Sequence, residues 1–363
     1  MLKITNYYLI FILSIFLINP LHGQIHDFDS LVTNNDSFKK IAAAIGDTLD
    51  LFNNDETLIV TLETDFKNLR KGKYKEEYQD AIFRMMYNDT VQITRNITIR
   101  ARGIMRKRIC HIPPIKLNFS KKDAFIKQLE DFDKLKIVLD CKSGNIYEQY
   151  LLSEYYAYKI QNIITNYSLR ARLLKAKYID TSGKSKDITR YAFILEDIDQ
   201  LAARHNAMRI ETKSIRDNQT NLPVLMDSYL FQYLIGNTDW SILAMHNIYL
   251  LKSLNPLDPN PYVIPYDFDY AGIVDTNYAV PDEQLGTKSV RERVYRGYCL
   301  PIELVKNSAK KFIQNKEKIY AIYQNETLLN KSTKGKTIRY LDEFYEIIEN
   351  ENLLKRHIIE SCR

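Results

Sequence analysis

Apolar and polar residues alternate with a period of two over 57–63, 81–102, 115–119 and 135–139, the spacing of half-buried β-strands. Two further runs of that kind, 168–180 and 191–196, flank the turn-forming stretch at 181–184 and predict a hairpin. At 148–164 the period changes. Leu151, Leu152, Tyr155, Tyr158, Ile160 and Ile163 recur at helical spacing and predict a long helix with one broad apolar face. A shorter helix is expected over 201–208, capped by Asp197 or Asp199. An apolar run at 229–235 stops at Gly236 and Asn237, and short strands at 248–251 and 262–264 enclose a loop rich in Pro and Asn at 255–261. The stretch 273–297 reads as loop. Helical periodicity dominates from 301 onward, through 302–305, 312–323 and 340–354. No internal repeat and no long Gly, Ser or Pro linker interrupts this order.

Composition narrows the classes. The chain has 363 residues, 45% of them hydrophobic, enough for a substantial core. Its formal charge of +6 is a mild excess spread along the sequence, whereas a nucleic-acid binder concentrates its basic residues, so no nucleic-acid partner is expected. Residues 1–23 carry Lys3, an apolar stretch at 7–18 and a Pro20 to Gly23 exit, the layout of a secretory signal peptide cleaved after Gly23. That apolar stretch is shorter than the roughly 20 residues a spanning helix needs, so no stable membrane span is expected after cleavage. The expected location is secreted, periplasmic or cell-envelope. Cys110, Cys141, Cys299 and Cys362 then lie where disulfides persist, and their three possible pairings are equally open.

Candidate chemistry concentrates in 231–272. Asp239 follows the Gly236 break, Asn247 opens the strand at 248, and Asp267 and Asp269 close the strand that ends at Pro265. Each of these residues is a good turn former. Together, three carboxylates and a carboxamide at loop ends suit a hard cation such as Mg²⁺, which takes few protein ligands and completes its shell with phosphate and water. In phosphoryl transfer an Asp orients the attacking hydroxyl while an Asn and a second Asp hold the metal. Asp239 is the candidate for the first role, Asn247 and Asp267, with Asp269, for the second. Gly103 with Arg106, Lys107 and Arg108 can cover phosphates, and Lys116 lies on the strand at 115–119, with Lys136 and Lys142 as competing phosphate-binding cations. Glu154, or Glu148, on the long helix can pair with that lysine. Arg291, Arg293 and Arg296 can meet an acidic substrate or a phosphate.

The order of an apolar helix, N-T-D at 237–239, a strand opened by Asn247, and P-Y-D-F-D at 265–269 before Gly272 resembles the secreted, spore-coat CotH-type kinase-like proteins. It is more faintly similar to HipA-type and Golgi-secreted kinases. The similarity extends upstream through 100–103, 114–119 and 191–196, and it favours Lys116 as the phosphate-binding lysine and Asp267 as the metal ligand. There are departures. Asn247 follows Asp239 by eight positions where ordinary kinases use about five, and no His-Arg precedes the Asp. Asp267-Phe-Asp269 stands where Asp-Phe-Gly is usual. No Walker-type P-loop occurs.

The resemblance implies an α+β, two-lobed atypical protein kinase-like fold, with a sheet-rich N-terminal lobe at 24–196 and a mainly helical C-terminal lobe at 197–363. It also implies ATP as co-substrate, Mg²⁺ or Mn²⁺, and an extracytoplasmic protein acceptor. Two other readings stand beside it: a secreted or envelope binding protein without turnover, and metal-assisted hydrolysis by the same carboxylates, which has no His cluster to support it.

Overall fold

The computed structural model describes residues 26–27, 51–52, 55–86, 91–119 and 134–363. The expected signal peptide at 1–23 and the stretch at 24–46 lie outside the described residues, apart from His26 and Asp27. Eight strands make the larger sheet: β1 (His26–Asp27), β2 (Leu58–Thr64), β3 (Gln79–Met86), β4 (Val91–Ala101), β5 (Ile115–Phe119), β6 (Lys134–Leu139), β7 (Ala171–Asp180) and β8 (Ile188–Leu195). Their order is β1-β4-β3-β2-β7-β8-β6-β5, and a further pairing of β5 with β4 closes seven of them into a barrel.

The long strand β4 makes closure possible. Its residues Ile97 to Ile99 pair with β3 on one side and with β5 on the other. The join between β2 and β7 is parallel, with Leu62 opposite Tyr178, while the other neighbours around the barrel are antiparallel. Alternate residues turn inward. Leu62, Phe83, Ile99, Leu117, Ile137, Tyr178 and Ile194 are among those that fill the barrel, consistent with a narrow barrel packed by its own side chains.

Nine α-helices occur among the described residues. Those used below are α1 (Phe66–Lys71), α2 (Met105–Ile109), α3 (Asn145–Ile164), α4 (Ile198–Arg204) and α5 (Leu222–Ile235), followed by α6 (Ile302–Gln314), α7 (Lys316–Gln324) and α8 (Lys331–Glu349). A second, three-stranded antiparallel sheet runs β11-β10-β9, with β9 (Ala207–Ile210), β10 (Ile248–Ser253) and β11 (Tyr262–Pro265).

This arrangement corrects the expectation of a two-lobed kinase-like fold. Strand alternation reports which face is buried, not which strands meet at the edges, and here the edges meet. The division into a sheet half and a helical half fails as well. The second hydrophobic cluster contains α3, α5, α6 and α8 together with Val138, Leu173, Phe193 and Leu195 from the barrel strands, and Ile248, Leu250 and Ile264 from the smaller sheet. Helix α3 therefore shows no single apolar face: Gln149, Ser153, Glu154 and Gln161 are buried alongside its Leu, Ile and Tyr residues. The exit from β8 at 196–199 is a clamp. Glu196 is fully buried between Arg170 and Arg204, and Asp197 caps α4 by accepting the Asp199 amide.

Cys110 pairs with Cys141 and Cys299 with Cys362. Among the described residues no helix is long and apolar enough to cross a membrane.

Candidate active site

Four elements converge on the turn at 265–269. The β10–β11 pairing sets Ile248 opposite Pro265, and the Tyr266 amide donates to the Asn247 carbonyl at 3.0 Å, so Asn247 and Asp267 leave the same end of the hairpin. Both have left-handed backbones, at φ +53° and +65°. Asn and Asp tolerate that region better than most side chains, and such conformations concentrate at functional sites.

Helix α3 holds the turn through residues one and two turns apart. The Tyr158 hydroxyl accepts the Asp267 amide at 2.9 Å, and the Gln161 side-chain amide donates to the Pro265 carbonyl at 3.4 Å. Glu154, on the same face, reaches Asp269 through Arg106. The guanidinium of Arg106, on α2, donates to Glu154 Oε2 and, from Nε at 2.9 Å, to Asp269 Oδ2. The Tyr278 hydroxyl adds a 3.2 Å bond to the same Asp269 oxygen. Glu154 and Asp269 are only 1% and 6% exposed. Burial alone would push Arg106 down, but Glu154 and Asp269 hold it firmly charged. Burial pushes the Glu154 carboxyl up, Arg106 opposes this, and Asp269 and Asp267 add to the rise.

Asp267 differs from Asp269. Its carboxylate is open to solvent and makes no hydrogen bond among the described residues, although protein surrounds it closely. Desolvation by the protein packed around it, with Asp269 beside it, pushes its carboxyl up to about 6, against Arg106 and Arg102, and Asp239 adds to the rise. Asp239 thus lies within electrostatic reach of Asp267. The Asp239 side chain is held from both sides, by His246 Nε2 on Oδ1 at 2.8 Å and by Asn247 Nδ2 on Oδ2 at 3.0 Å. Asn247 Nδ2 also reaches the Asp239 carbonyl at 2.8 Å, which leaves its own carbonyl oxygen free of these bonds.

Cations line the barrel rim opposite. Lys136, on β6, donates from Nζ to the Tyr249 hydroxyl at 2.8 Å and lies 5.1 Å from that ring's centroid. Tyr249 stacks on Tyr266 at 4.2 Å. Burial pushes the Lys136 ammonium down to about 8; Arg102 and Arg209 add to this, and Asp197 and Asp267 oppose it. Arg102, just past the end of β4, acts on both Lys136 and Asp267, and its buried Nε has no hydrogen-bond partner.

The structure therefore brings Asp239, Asn247, Asp267, Asp269 and Glu154 to one place. Lys116 sits directly opposite Lys136 in the β5–β6 pairing, half-buried near Tyr78, Arg100 and Lys134, where burial and the neighbouring cations push it down. The partner of Glu154 is Arg106, not Lys116. Lys136, weighed in the sequence as a competitor, bonds Tyr249 and lies within electrostatic reach of Asp267. His246 carried no signal in the sequence, since a His one residue before Asn247 is unremarkable until the hairpin folds it onto Asp239.

The donors can be tested against the cation expected from the sequence. Among the described residues no three His, Cys, Asp or Glu side chains converge into a ready-made metal site. Mg²⁺ does not require one, because one or two protein carboxylates plus phosphate oxygens and water complete its shell. The free Asn247 carbonyl oxygen and the unpartnered Asp267 carboxylate fit that demand, while Asp269 Oδ2 is committed to Arg106 and Tyr278.

No family model and no curated protein matches this chain, so the CotH-type resemblance stands on its motif residues alone. Among solved structures, the crystal structure of a proinflammatory kinase, CtkA, from Helicobacter pylori is similar with a TM-score of 0.37 and 13% identity, covering 68% of this chain and 92% of that one. A distant structural neighbour is thus a kinase, at a distance too great to carry the fold or the activity of this chain.

Proposed function

We propose that this chain transfers a phosphoryl group from a nucleoside triphosphate, ATP being the reference donor, to a hydroxyl of a protein acceptor outside the cytoplasm. The carrying observation is the meeting of Asp239, Asn247 and Asp267 at one hairpin end, with Lys136 and Arg102 within electrostatic reach of Asp267. Phosphoryl transfer asks the protein mainly to position reactants and balance charge. Asp239 orients the acceptor hydroxyl and receives its proton. Asn247 and Asp267 hold the divalent cation, Mg²⁺ or Mn²⁺, which when bound neutralises phosphate charge. Lys136 and Arg102 meet the phosphate oxygens, and the Arg106 bridge from Glu154 to Asp269 fixes the turn that aims Asp267. The two cysteine pairs accord with an oxidising compartment.

One observation favours a second reading, a binding protein without turnover: both Asp239 carboxylate oxygens are already engaged by His246 and Asn247. Incubation of the full chain with γ-labelled ATP, Mg²⁺ or Mn²⁺ and a casein-like acceptor separates the two. Transfer that falls by at least about a hundredfold in Asp239→Asn and in Asp267→Ala supports the enzyme. Thermal stabilisation by ATP with no label transferred supports the binding protein, and transfer that survives Asp267→Ala refutes the cation assignment.

A further inference from the structure

Three arginines of the loop at 273–297 stood as candidates for meeting an acidic substrate, and the structure separates them. Arg291 donates to the Gly272 carbonyl, lies 3.6 Å from Asp275 and covers the Tyr340 ring. Arg293 is spent on the Leu234 and Tyr340 carbonyls, on Glu343 at 2.9 Å and on the face of Tyr340. Both are structural clamps. Arg296 is different. It donates from Nη1 to the carbonyl of Thr238, the residue before Asp239, and its guanidinium lies 5.8 Å from the Trp240 ring. Its Nε is buried without a hydrogen-bond partner, and among the described residues it forms no ion pair. A buried guanidinium N–H left unmatched is costly unless a ligand completes it.

A second cation is fixed beside it. Arg363 donates from Nε at 3.1 Å and Nη2 at 2.6 Å to the Arg296 carbonyl, and the Cys299–Cys362 disulfide ties the two segments together. The carboxylates within electrostatic reach are Asp239 and Asp282 for Arg296, and Asp217 for Arg363. Each already accepts a hydrogen bond: Asp239 as described, Asp282 from the Gln284 amide and Asp217 from the Tyr229 hydroxyl. Those bonds leave the three carboxylates charged, so what the pair offers an incoming anion beside the hydroxyl-orienting carboxylate is the Arg296 N–H groups that no protein acceptor takes up, not a surplus of charge.

We infer that Arg296, supported by Arg363, recognises a carboxylate flanking the acceptor hydroxyl, so that the acceptor is an acidic protein segment with Asp or Glu close to the modified Ser or Thr. This rests on the role of Asp239 proposed above. The test is direct binding of two fluorescent Ser peptides to the full chain, one with flanking Glu residues and one with Gln in their place, read by anisotropy so that turnover does not enter. The expected result is at least about tenfold tighter binding of the Glu peptide, a preference abolished in Arg296→Gln and largely kept in Arg296→Lys. Equal binding of the two peptides by the unsubstituted protein, or a preference that survives Arg296→Gln with circular dichroism unchanged, overturns the inference. Label transfer to the Gln peptide, run in parallel, reports separately on whether the chain is a phosphotransferase.

Discussion

At the scale of single residues the site is governed by unequal treatment of like groups. Asp267 and Asp269 stand two positions apart, yet one is left without a side-chain partner and the other is locked to a guanidinium. The sequence offers both as metal ligands because spacing says nothing about which carboxylate a distant Arg will reach. Arg106 was legible only as a basic residue after a glycine; that it joins α2 to α3 and the Asp turn depends on tertiary contacts with residues 48 and 163 positions away. Its role predicts a large effect. Arg106→Ala leaves two buried carboxylates uncompensated and should cost about 3–5 kcal/mol in chemical denaturation near neutral pH. Adding Glu154→Gln and Asp269→Asn should return much of that loss, because the charges no longer need a partner. Arg106→Lys should rescue only in part, since a single ammonium does not reproduce the two-directional fork. A loss below about 1 kcal/mol for Arg106→Ala would mean the bridge is not what holds the turn.

At the scale of elements the sequence was most readable where a period runs long. Helix α3, the strands at 58–64, 115–119 and 134–139, and the hairpin at 248–265 lie where alternation and helical spacing put them, within the usual few residues. Strand β9 was not readable: Ala207 to Ile210 continues the helical pattern of 201–208, and only pairing with β10, with Leu250 opposite Ile210, makes it extended. Tertiary partners decide such short segments. The connection from β6 to α3 carries Asp140 and then Cys141, whose disulfide to Cys110 fastens the segment bearing Arg106 to the start of the Glu154 helix. Asp140 is a weak point there. Its Oδ2 has no hydrogen bond, Arg190 stands 3.5 Å away, and burial pushes its carboxyl up to about 6, with Arg190 opposing. A carboxyl raised in the folded state binds its proton more tightly there than in the unfolded chain. Stability is therefore lost as pH rises from about 4 to about 6 and stays level above. Asp140→Asn should remove that dependence, matching the parent protein near pH 4 and exceeding it by roughly 2 kcal/mol above pH 7. Melting temperatures across that range decide the matter. A parallel pair of curves would show that Asp140 is ionised comfortably in the fold.

At the scale of the whole molecule, the sequence conveyed an order of strands and helices but not how its parts share a core. A period of two is the same in an open sheet and in a closed barrel, and the pairing of β4 with β5 links residues whose separation no local pattern encodes. Boundaries were obscured for the same reason. The barrel strands contribute Val138, Leu173, Phe193 and Leu195 to the cluster built around α3 and α5, so the interior of the barrel and the helical core are joined by common walls. Two cores with common walls should melt as one. Trp240 is the sole tryptophan and packs against Tyr229 in the helical core, so its fluorescence follows that region, while far-UV circular dichroism also carries the barrel strands. Equilibrium unfolding in urea should give superimposable transitions by the two probes, with a single slope set by the surface exposed by the entire chain. Transitions separated by more than about 0.5 M would mean that the shared residues do not couple the barrel to the helices, and the fixed placement of Asp267 near Lys136 would lose its physical basis.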